Sequence, residues 1–314
     1  MSAETPENGS QVKIAILLST FNGAKFLAEQ LDSILGQSHG NFILIVRDDG
    51  STDTTLEVLR RYQNENPSTI FLLEDNTPNR GPSGSFSLLC EYLLGNKTQF
   101  GINRIVACFC DQDDVWAKDK LAIQLEALLS AEREDQNKPV LVHSDLVVVD
   151  EALREIAPSL IAYQGLEIER RSFPNLAISN LVTGCTAMFN EDLLTKALPV
   201  PKRAIMHDWW FAMTAAAFGE LVFIPQALIQ YRQHGGNAIG AKQKEHVQEG
   251  FFARVLGLEH NEHLVEVAVQ AKEFSQRFGG ELKFSNWLAL FLCRRMRSRS
   301  AVMQRVYYRL ARKF

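Results

Sequence analysis

The sequence predicts an α/β fold: a mixed, mostly parallel sheet with helices on both faces, followed by a helical C-terminal extension. Three observations carry that prediction. Between Val12 and Leu129, short β-type apolar runs alternate with helix-period segments over short connections, the pattern of strands joined by crossover helices. Two of those runs, residues 42–46 and 105–109, lead into acidic clusters, Asp48-Asp49-Gly50-Ser51-Thr52-Asp53 and Asp111-Gln112-Asp113-Asp114. Finally, residues 287–314 carry 8 basic side chains and no acidic one.

The elements follow in order. Residues 12–18 read as a buried first strand. Ser19-Thr20-Phe21-Asn22-Gly23 turns the chain, and residues 24–35 are helical because Phe26, Leu27, Leu31, Ile34 and Leu35 share one face. Residues 42–46 form the second strand, and Ser51-Thr52-Asp53 caps a helix reaching Tyr62. A third strand covers 70–73. The loop Asn79-Arg80-Gly81-Pro82-Ser83-Gly84 precedes a helix over 85–94; a fourth strand covers 105–109 and a helix 118–129. Beyond Val140 the alternation weakens. Residues 140–143, 146–149, 186–189 and 221–224 are β-type, 152–174 read as irregular and 208–218 as helix. Residues 226–231 lead into a polar loop over 232–240. The Gly/Gln/Lys-rich stretch 235–243 marks the boundary between a domain over 12–240 and an extension over 241–314.

Composition narrows the class. A chain of 314 residues makes one large domain or two smaller ones, and 46% hydrophobic residues exclude global disorder. The net charge of -4 hides an asymmetry: residues 1–240 carry 19 basic and 30 acidic side chains. The five cysteines match no zinc site or disulfide framework, which fits a reducing compartment. The polar first residues, 1–11, lack the apolar core of a signal peptide. No run reaches the ~18 apolar residues that span a bilayer. A cytoplasmic protein is the expectation.

Acid at the carboxyl ends of strands sits where open α/β sheets bind ligands. Buried carboxylates are costly unless a cation or donors offset them. Asp111-Gln112-Asp113 is a D-x-D whose two carboxylates, two residues apart, can share one hard divalent cation. A solvated turn with Asp114 starting the next helix explains it equally well. The Asp48–Asp53 turn is an ordinary strand–turn–helix taken alone, and a nucleotide contact when paired with the D-x-D. His207-Asp208-Trp209-Trp210 offers a carboxylate at the start of an apolar helix. It is either a plain cap or a general base for a hydroxyl, with the tryptophans shaping a sugar site and raising its pKa. Tyr231-Arg232-Gln233-His234-Gly235-Gly236-Asn237 suits closure over a diphosphate, with His234 as metal ligand or phosphate donor, or is a surface loop.

In this order the motifs resemble the family 2 glycosyltransferases of the GT-A fold, over roughly residues 13–241. The resemblance implies donor contacts from Thr20, Phe21, Asn22, Asp48, Asp49, Asp111, Arg232 and His234. It implies Mg²⁺ or Mn²⁺ at Asp113, with Asp111 and His234, on a sugar-nucleotide diphosphate. It makes Asp208 the base, although His207 stands where the family carries Glu. The His-Asp-Trp-Trp helix and the following loop are similar to the bacterial rhamnosyltransferase-like branch, which implies a dTDP-L-rhamnose donor and a role in surface polysaccharide synthesis. The Q-x-x-R-W motif and membrane spans of processive synthases are missing from the sequence, so a single transfer per encounter is expected.

The basic tail interleaves Trp287, Leu288, Leu290, Phe291, Leu292, Met296, Val306 and Leu310 with arginines, and its helical spacing breaks around Arg299. Such helices lie on anionic membrane surfaces, where a lipid-linked saccharide acceptor would be met. A helix packed on the catalytic domain is the plainer reading. Nucleic-acid binding is disfavoured by the acidic body. Two other functions compete with transfer. A nucleotidyltransferase needs a Gly-rich cationic loop after the first strand, whereas residues 19–23 have one glycine and no cation. A non-catalytic sugar-nucleotide binding module would have no use for an intact D-x-D and Asp208.

Overall fold

The computed structural model describes residues 12–75, 78–133, 135, 137–235, 261–298 and 300–313. The boundary expected near residue 240 and the polar N-terminus lie outside them, while the helical break expected around Arg299 falls between helices that end at Arg295 and begin at Ala301. The elements are β1 (Ile14–Thr20), α1 (Ala24–Leu35), β2 (Phe42–Asp48), α2 (Thr55–Glu65), β3 (Ile70–Leu72), α3 (Gly81–Asn96), β4 (Val106–Cys110), β5 (Val115–Trp116) and α4 (Lys120–Glu132). Then follow β6 (Val140–Val149), β7 (Glu155–Ala157), α5 (Leu160–Gln164), α6 (Phe173–Leu176), β8 (Ala187–Asn190), α7 (Glu191–Ala197), α8 (His207–Phe218) and β9 (Glu220–Arg232). Three helices close the chain: α9 (Glu262–Phe278), α10 (Phe284–Arg295) and α11 (Ala301–Ala311).

The nine strands of the described residues form one sheet, in the order β3-β2-β1-β4-β8-β6-β9-β5 with β7 on β6. The first block is parallel: β2 pairs with β1 and β3, and β1 with β4. β8 then runs antiparallel between β4 and β6, and β9 returns parallel to β6. The strands of the first block read as continuous apolar runs because both faces are covered. Ile14, Ile16 and Leu18 meet α1 and α4 on one face, while Ala15 and Leu17 meet α3 on the other.

Two differences from the sequence reading have simple causes. The β-type run 221–224 and the segment 226–231 that follows it are one 13-residue strand, β9, whose register against β6 shifts around Asp145. Its pattern looks interrupted because Pro225 and Gln226 fall inside it. The stretch over 152–174 is not structureless but holds β7, α5 and the start of α6, elements too short to show a period.

Helix α8 is buried all round from His207 to Ala215, so it lies under the sheet as a central rather than an amphipathic surface helix. Against it packs α9, with Phe274 and Phe278 beside Trp210. The tail joins the same core: Ala289, Leu290, Cys293, Met296 and Ala311 are almost wholly buried. Arg277 ties α9 to the end of α7 through the carbonyls of Lys196, Ala197, Leu198 and Pro199. Among the described residues, no helix is long and apolar enough to cross a membrane. Because Leu290 is 1% exposed, Leu290→Ala should destabilise the whole chain by about 2–5 kcal/mol. Chemical denaturation should show this as one shifted transition; a separate early transition confined to the tail would contradict it.

Candidate active site

The site forms where β1, β2 and β4 end together. After β1 the chain must turn sharply, and Asn22 takes a left-handed φ of 49°. Phe21 donates its backbone N–H to Gln112 Oε1 at 2.8 Å, and Gln112 Nε2 donates back to the Phe21 carbonyl at 3.0 Å. The middle residue of the D-x-D therefore clamps the first loop to the second acidic cluster. Gly23 permits this approach: a Cβ there would lie 2.1 Å from Gln112 Oε1. The Phe21 ring is left 47% exposed at the rim.

The first acidic cluster turns inward. Asp48 accepts from Thr20 Oγ1 at 2.8 Å, from Ser51 Oγ at 2.6 Å and from Ser51 N at 2.8 Å, closing its own turn. Asp49 is buried against the Arg47 guanidinium and accepts from Arg80 N at 2.8 Å. Arg47 is itself fully buried and reaches Asp75 at 2.8 Å. The turn is thus pre-ordered by its own carboxylates, with Asn22 Oδ1 accepting from Thr52 N at 2.7 Å.

The second cluster concentrates negative charge. Asp113 and Asp114 are buried, and Asp114 Oδ2 meets no hydrogen-bond partner. Ligand atoms of Asp111, Asp114 and Cys185 lie within 4.8 Å of one another. Burial pushes the Asp111 carboxyl up to about 7, with Asp113 and Asp208 adding like-charge repulsion. Burial, with repulsion from Asp113 and Asp111, pushes Asp114 well above the carboxylate range. Two carboxyl groups this close, one with a buried oxygen that has no partner, offer oxygen ligands of the kind a hard divalent cation takes. Burial keeps the Cys185 thiol protonated, so it adds no soft thiolate. Beneath the cluster lies Lys120, fully buried, its Nζ 2.8 Å from Gln124 Oε1 and 3.8 Å from the centre of the Trp116 ring.

The loop after β9 closes on this cluster from the other side. His234 Nε2 lies 2.7 Å from Asp113 Oδ2. Arg232 corrects the expectation of a donor-binding cation. It is 1% exposed and engages the Asp113 carbonyl at 2.9 Å, the Glu151 carbonyl and the Glu29 carboxylate, and its Cζ lies 4.4 Å from the centre of the Phe26 ring. It braces the D-x-D from beneath rather than projecting into the cleft. Gly236 and Asn237 of the same motif lie outside the described residues.

Asp208 occupies the first turn of α8 and is buried because that helix is buried on every side. Its Oδ1 accepts from Trp209 N at 2.6 Å and from Asn180 Nδ2 at 3.3 Å, and the Gly184 N–H also points to the carboxylate. Burial pushes it up to about 7 despite these donors. A Cβ on Gly184 would meet Asp208 Oδ2 at 3.5 Å and His207 Nε2 at 3.3 Å, so glycine leaves the carboxylate room. His207 is a neutral aromatic filler. Burial pushes its pKa down to about 3, it stacks on Phe86 at 4.3 Å, and neither ring nitrogen finds a partner. The tryptophans are not a sugar platform: Trp209 and Trp210 are 3% and 0% exposed and donate to the carbonyls of Leu176 and Ala197.

The structure therefore brings Asp111, Asp113, Asp208 and His234 around one end of the sheet, and leaves Asp48, Asp49 and Arg232 holding its frame. Sequence reasoning missed Arg47, Lys120, Asn180 and Gly184. Lys120 and Gln124 show a helical i, i+4 spacing but no sign of burial. Asn180 and Gly184 lie in a stretch without periodicity.

This mixed sheet, with a carboxylate cluster where its parallel strands end, has the GT-A architecture. The description "Glycosyl transferase family 2" matches residues 15–194, and the chain belongs to that family. It is 26% identical over 236 residues to an uncharacterised glycosyltransferase of Nostoc, covering 72% of this chain and 66% of that one. It is 27% identical over 233 residues to the dTDP-rhamnosyl transferase RfbG of Shigella flexneri, covering 71% and 74%. Among solved structures, S. aureus TarS superposes with a TM-score of 0.55 at 17% identity over 91% of this chain and 43% of that one. The mannosyltransferase PcManGT of Pyrobaculum calidifontis, in complex with GDP-Man and Mn²⁺, superposes with a TM-score of 0.51 at 17% identity over 96% and 81%. The chain thus spans about two thirds of the Nostoc relative and under half of that TarS chain.

The raised Asp111 pKa sets a pH dependence. The folded chain holds this proton up to about 7, whereas the unfolded carboxyl loses it near ~3.9. Between those values the fold binds more protons, so its stability falls as pH rises. Asp111→Asn keeps the neutral form throughout. In chelator-treated buffer its melting temperature should match wild type near pH 4 and exceed it above pH 7. An equal difference at both pH values would remove Asp111 as the titrating group.

Proposed function

We propose that the chain is an inverting glycosyltransferase that performs one transfer per encounter. The donor is a nucleotide diphosphate sugar, with dTDP-L-rhamnose the first choice, and the acceptor is a saccharide or lipid-linked saccharide of bacterial surface polysaccharide synthesis. One observation carries the reading. Asp208 is a buried carboxyl at the start of α8, held through one oxygen by Asn180 and the Trp209 N–H, and near enough to Asp111 of the D-x-D to repel it.

Asp208 Oδ2 faces the space left by Gly184, while Asn180 and the Trp209 N–H hold Oδ1. The carboxylate would take the proton of an acceptor hydroxyl as that oxygen attacks the anomeric carbon from the face opposite the departing diphosphate. A pKa near the working pH suits that exchange. Asp113, Asp111 and His234 would hold Mg²⁺ or Mn²⁺, and that ion supplies charge neutralisation on the leaving diphosphate. Phe21 and Asn22 border the donor cleft, and the Asp48–Asp49 turn shapes it. The similarity to RfbG, named a dTDP-rhamnosyl transferase, supports the rhamnosyl choice. The Mn²⁺ bound with GDP-Man in PcManGT supports the metal. The nucleotidyltransferase and binding-module readings find no comparable support.

The same reading includes a peripheral association with the inner face of the cell membrane. While one side of α10 and α11 packs on the core, the other presents Phe284 at 74% exposure, Trp287 at 42% and Val302 at 55%. Phe284, Trp287 and Phe291 stack in series, and the Arg295 guanidinium lies over Phe291. Aromatic side chains flanked by arginines fit an anionic lipid surface.

Three outcomes are expected. Asp208→Asn should keep donor binding and lower transfer by ~10²-fold or more, the scale of a lost general base. The assay is a donor panel of dTDP-, UDP- and GDP-sugars with Mg²⁺ or Mn²⁺; transfer within a few-fold of wild type rules Asp208 out. Asp113→Ala should abolish metal-dependent binding of nucleoside diphosphate in calorimetric titration, and unchanged affinity sinks the metal assignment. Phe284→Ser with Trp287→Ser should release the protein from phosphatidylglycerol vesicles in sedimentation, while wild type binds and dissociates as salt rises. Wild type that ignores such vesicles at low salt removes the membrane surface from the reading.

A further inference from the structure

A concavity is bordered by Ile178, Ser179 and Leu181, the chain neighbours of Asn180. It encloses about 300 Å³ between the loop after α5, α6 and the last helix, α11, at the lower end of the range of small-ligand pockets. Glu167, Arg170, Asn175, Leu181, Tyr308 and Arg312 contribute to its lining. Glu167 Oε2 accepts from Arg170 Nη1 at 3.2 Å and from Arg312 Nη2 at 3.3 Å. Arg170 Nε donates to Asn175 Oδ1 at 3.0 Å, and Arg312 Nη1 to the Tyr308 hydroxyl at 3.4 Å. Arg170 also donates to the Arg312 carbonyl, joining the catalytic domain to the end of the tail.

We propose that this concavity is a saccharide subsite that holds a neutral hexose unit of the acceptor next to the unit being glycosylated. The inference rests on the reading of Asp208 as the acceptor's base. Position comes first. Leu181 follows Asn180, whose amide lies 3.3 Å from Asp208 Oδ1. Consecutive Cα atoms are ~3.8 Å apart, so the wall of the concavity stands on the order of 10 Å from the proton-accepting carboxylate. An oligosaccharide bridges that distance; a lone sugar at Asp208 would leave the concavity unused.

Chemistry comes second. The carboxylate, amide and guanidinium groups are already held by one another, so hydrogen bonds to sugar hydroxyls would require little further ordering. Glu167 between two guanidiniums leaves the pocket one net positive charge rather than two, which moderates its pull on a phosphate. The Tyr308 ring and Leu181 supply the apolar wall that the C–H face of a pyranose needs, with a hydroxyl at its polar edge. This also gives the docked tail a part in the reaction: α11 brings Tyr308 and Arg312 to a site whose other wall is the catalytic domain.

The test is saturation-transfer NMR on the full-length chain with the methyl glycosides of glucose, galactose, N-acetylglucosamine and rhamnose, and inorganic phosphate as the competing ligand. Wild type should bind at least one glycoside. Tyr308→Ala and Glu167→Gln should each weaken it by about tenfold, a loss of ~1.4 kcal/mol, and Tyr308→Phe should retain it. Thermal melts check that the variants stay folded, and Glu167→Gln serves if removing the ring undocks α11. Binding left unchanged by both Tyr308→Ala and Glu167→Gln overturns the proposal. So does a wild type that takes phosphate but no glycoside. If glycosides bind as stated while no donor in the panel is turned over, the transferase reading fails and the saccharide site stands.

Discussion

Four carboxyl groups share one desolvated end of the sheet, and much of the surrounding structure answers that charge. Asp111, Asp113 and Asp114 follow β4 directly, and Asp208 opens the helix that packs beneath it. Like charges this close cannot all ionise in a weakly polarisable interior. The protein meets the problem with raised pKa values at Asp111, Asp114 and Asp208 and with His234 against Asp113. A divalent cation would relieve the same repulsion more completely. The arrangement sacrifices stability for function: each raised carboxyl is a group whose ionisation the fold resists.

The two acidic clusters resemble each other in sequence and differ in role. Asp48 and Asp49 are matched by donors from their own turn and by Arg47, so the first cluster is electrically closed. Asp114 accepts from Arg232 N at 3.2 Å through one oxygen and keeps the other without a partner. An acidic motif that satisfies itself orders a loop; one left unsatisfied is ready for a ligand. Gln112 links the two, since its side chain joins the β1–α1 loop to the D-x-D turn. Arg232 does the same from β9, which makes the late strand a support for the early motif.

The tail shows how one segment serves two surroundings. Its small and apolar positions, Ala289, Leu290, Cys293 and Ala311, fill the core beside α6 and α9. The intervening aromatics and arginines face out. Helical periodicity makes this division possible, because positions three and four apart share a face while their neighbours do not. A packed tail and a surface-seeking tail are therefore compatible readings of the same residues.

The sequence by itself determined the early part of the sheet. Strands buried on both faces need continuous apolar runs, and β1, β2 and β4 appear at their expected places within two residues. It also determined the family, because the D-x-D, the Asp48–Asp53 turn and His207-Asp208 keep their order along the chain. What it left undecided depends on contacts distant in sequence. Whether Arg232 reaches into the cleft or braces it rests on Glu29 and Glu151, far away along the chain. Whether Trp209 and Trp210 line a site or a core rests on α9 and the Leu176 and Ala197 carbonyls. Asn180 and Gly184 gain their meaning only by lying against Asp208. Local patterns record which face of an element is apolar, but a side chain's charge, partner and use are set by what the fold places opposite it.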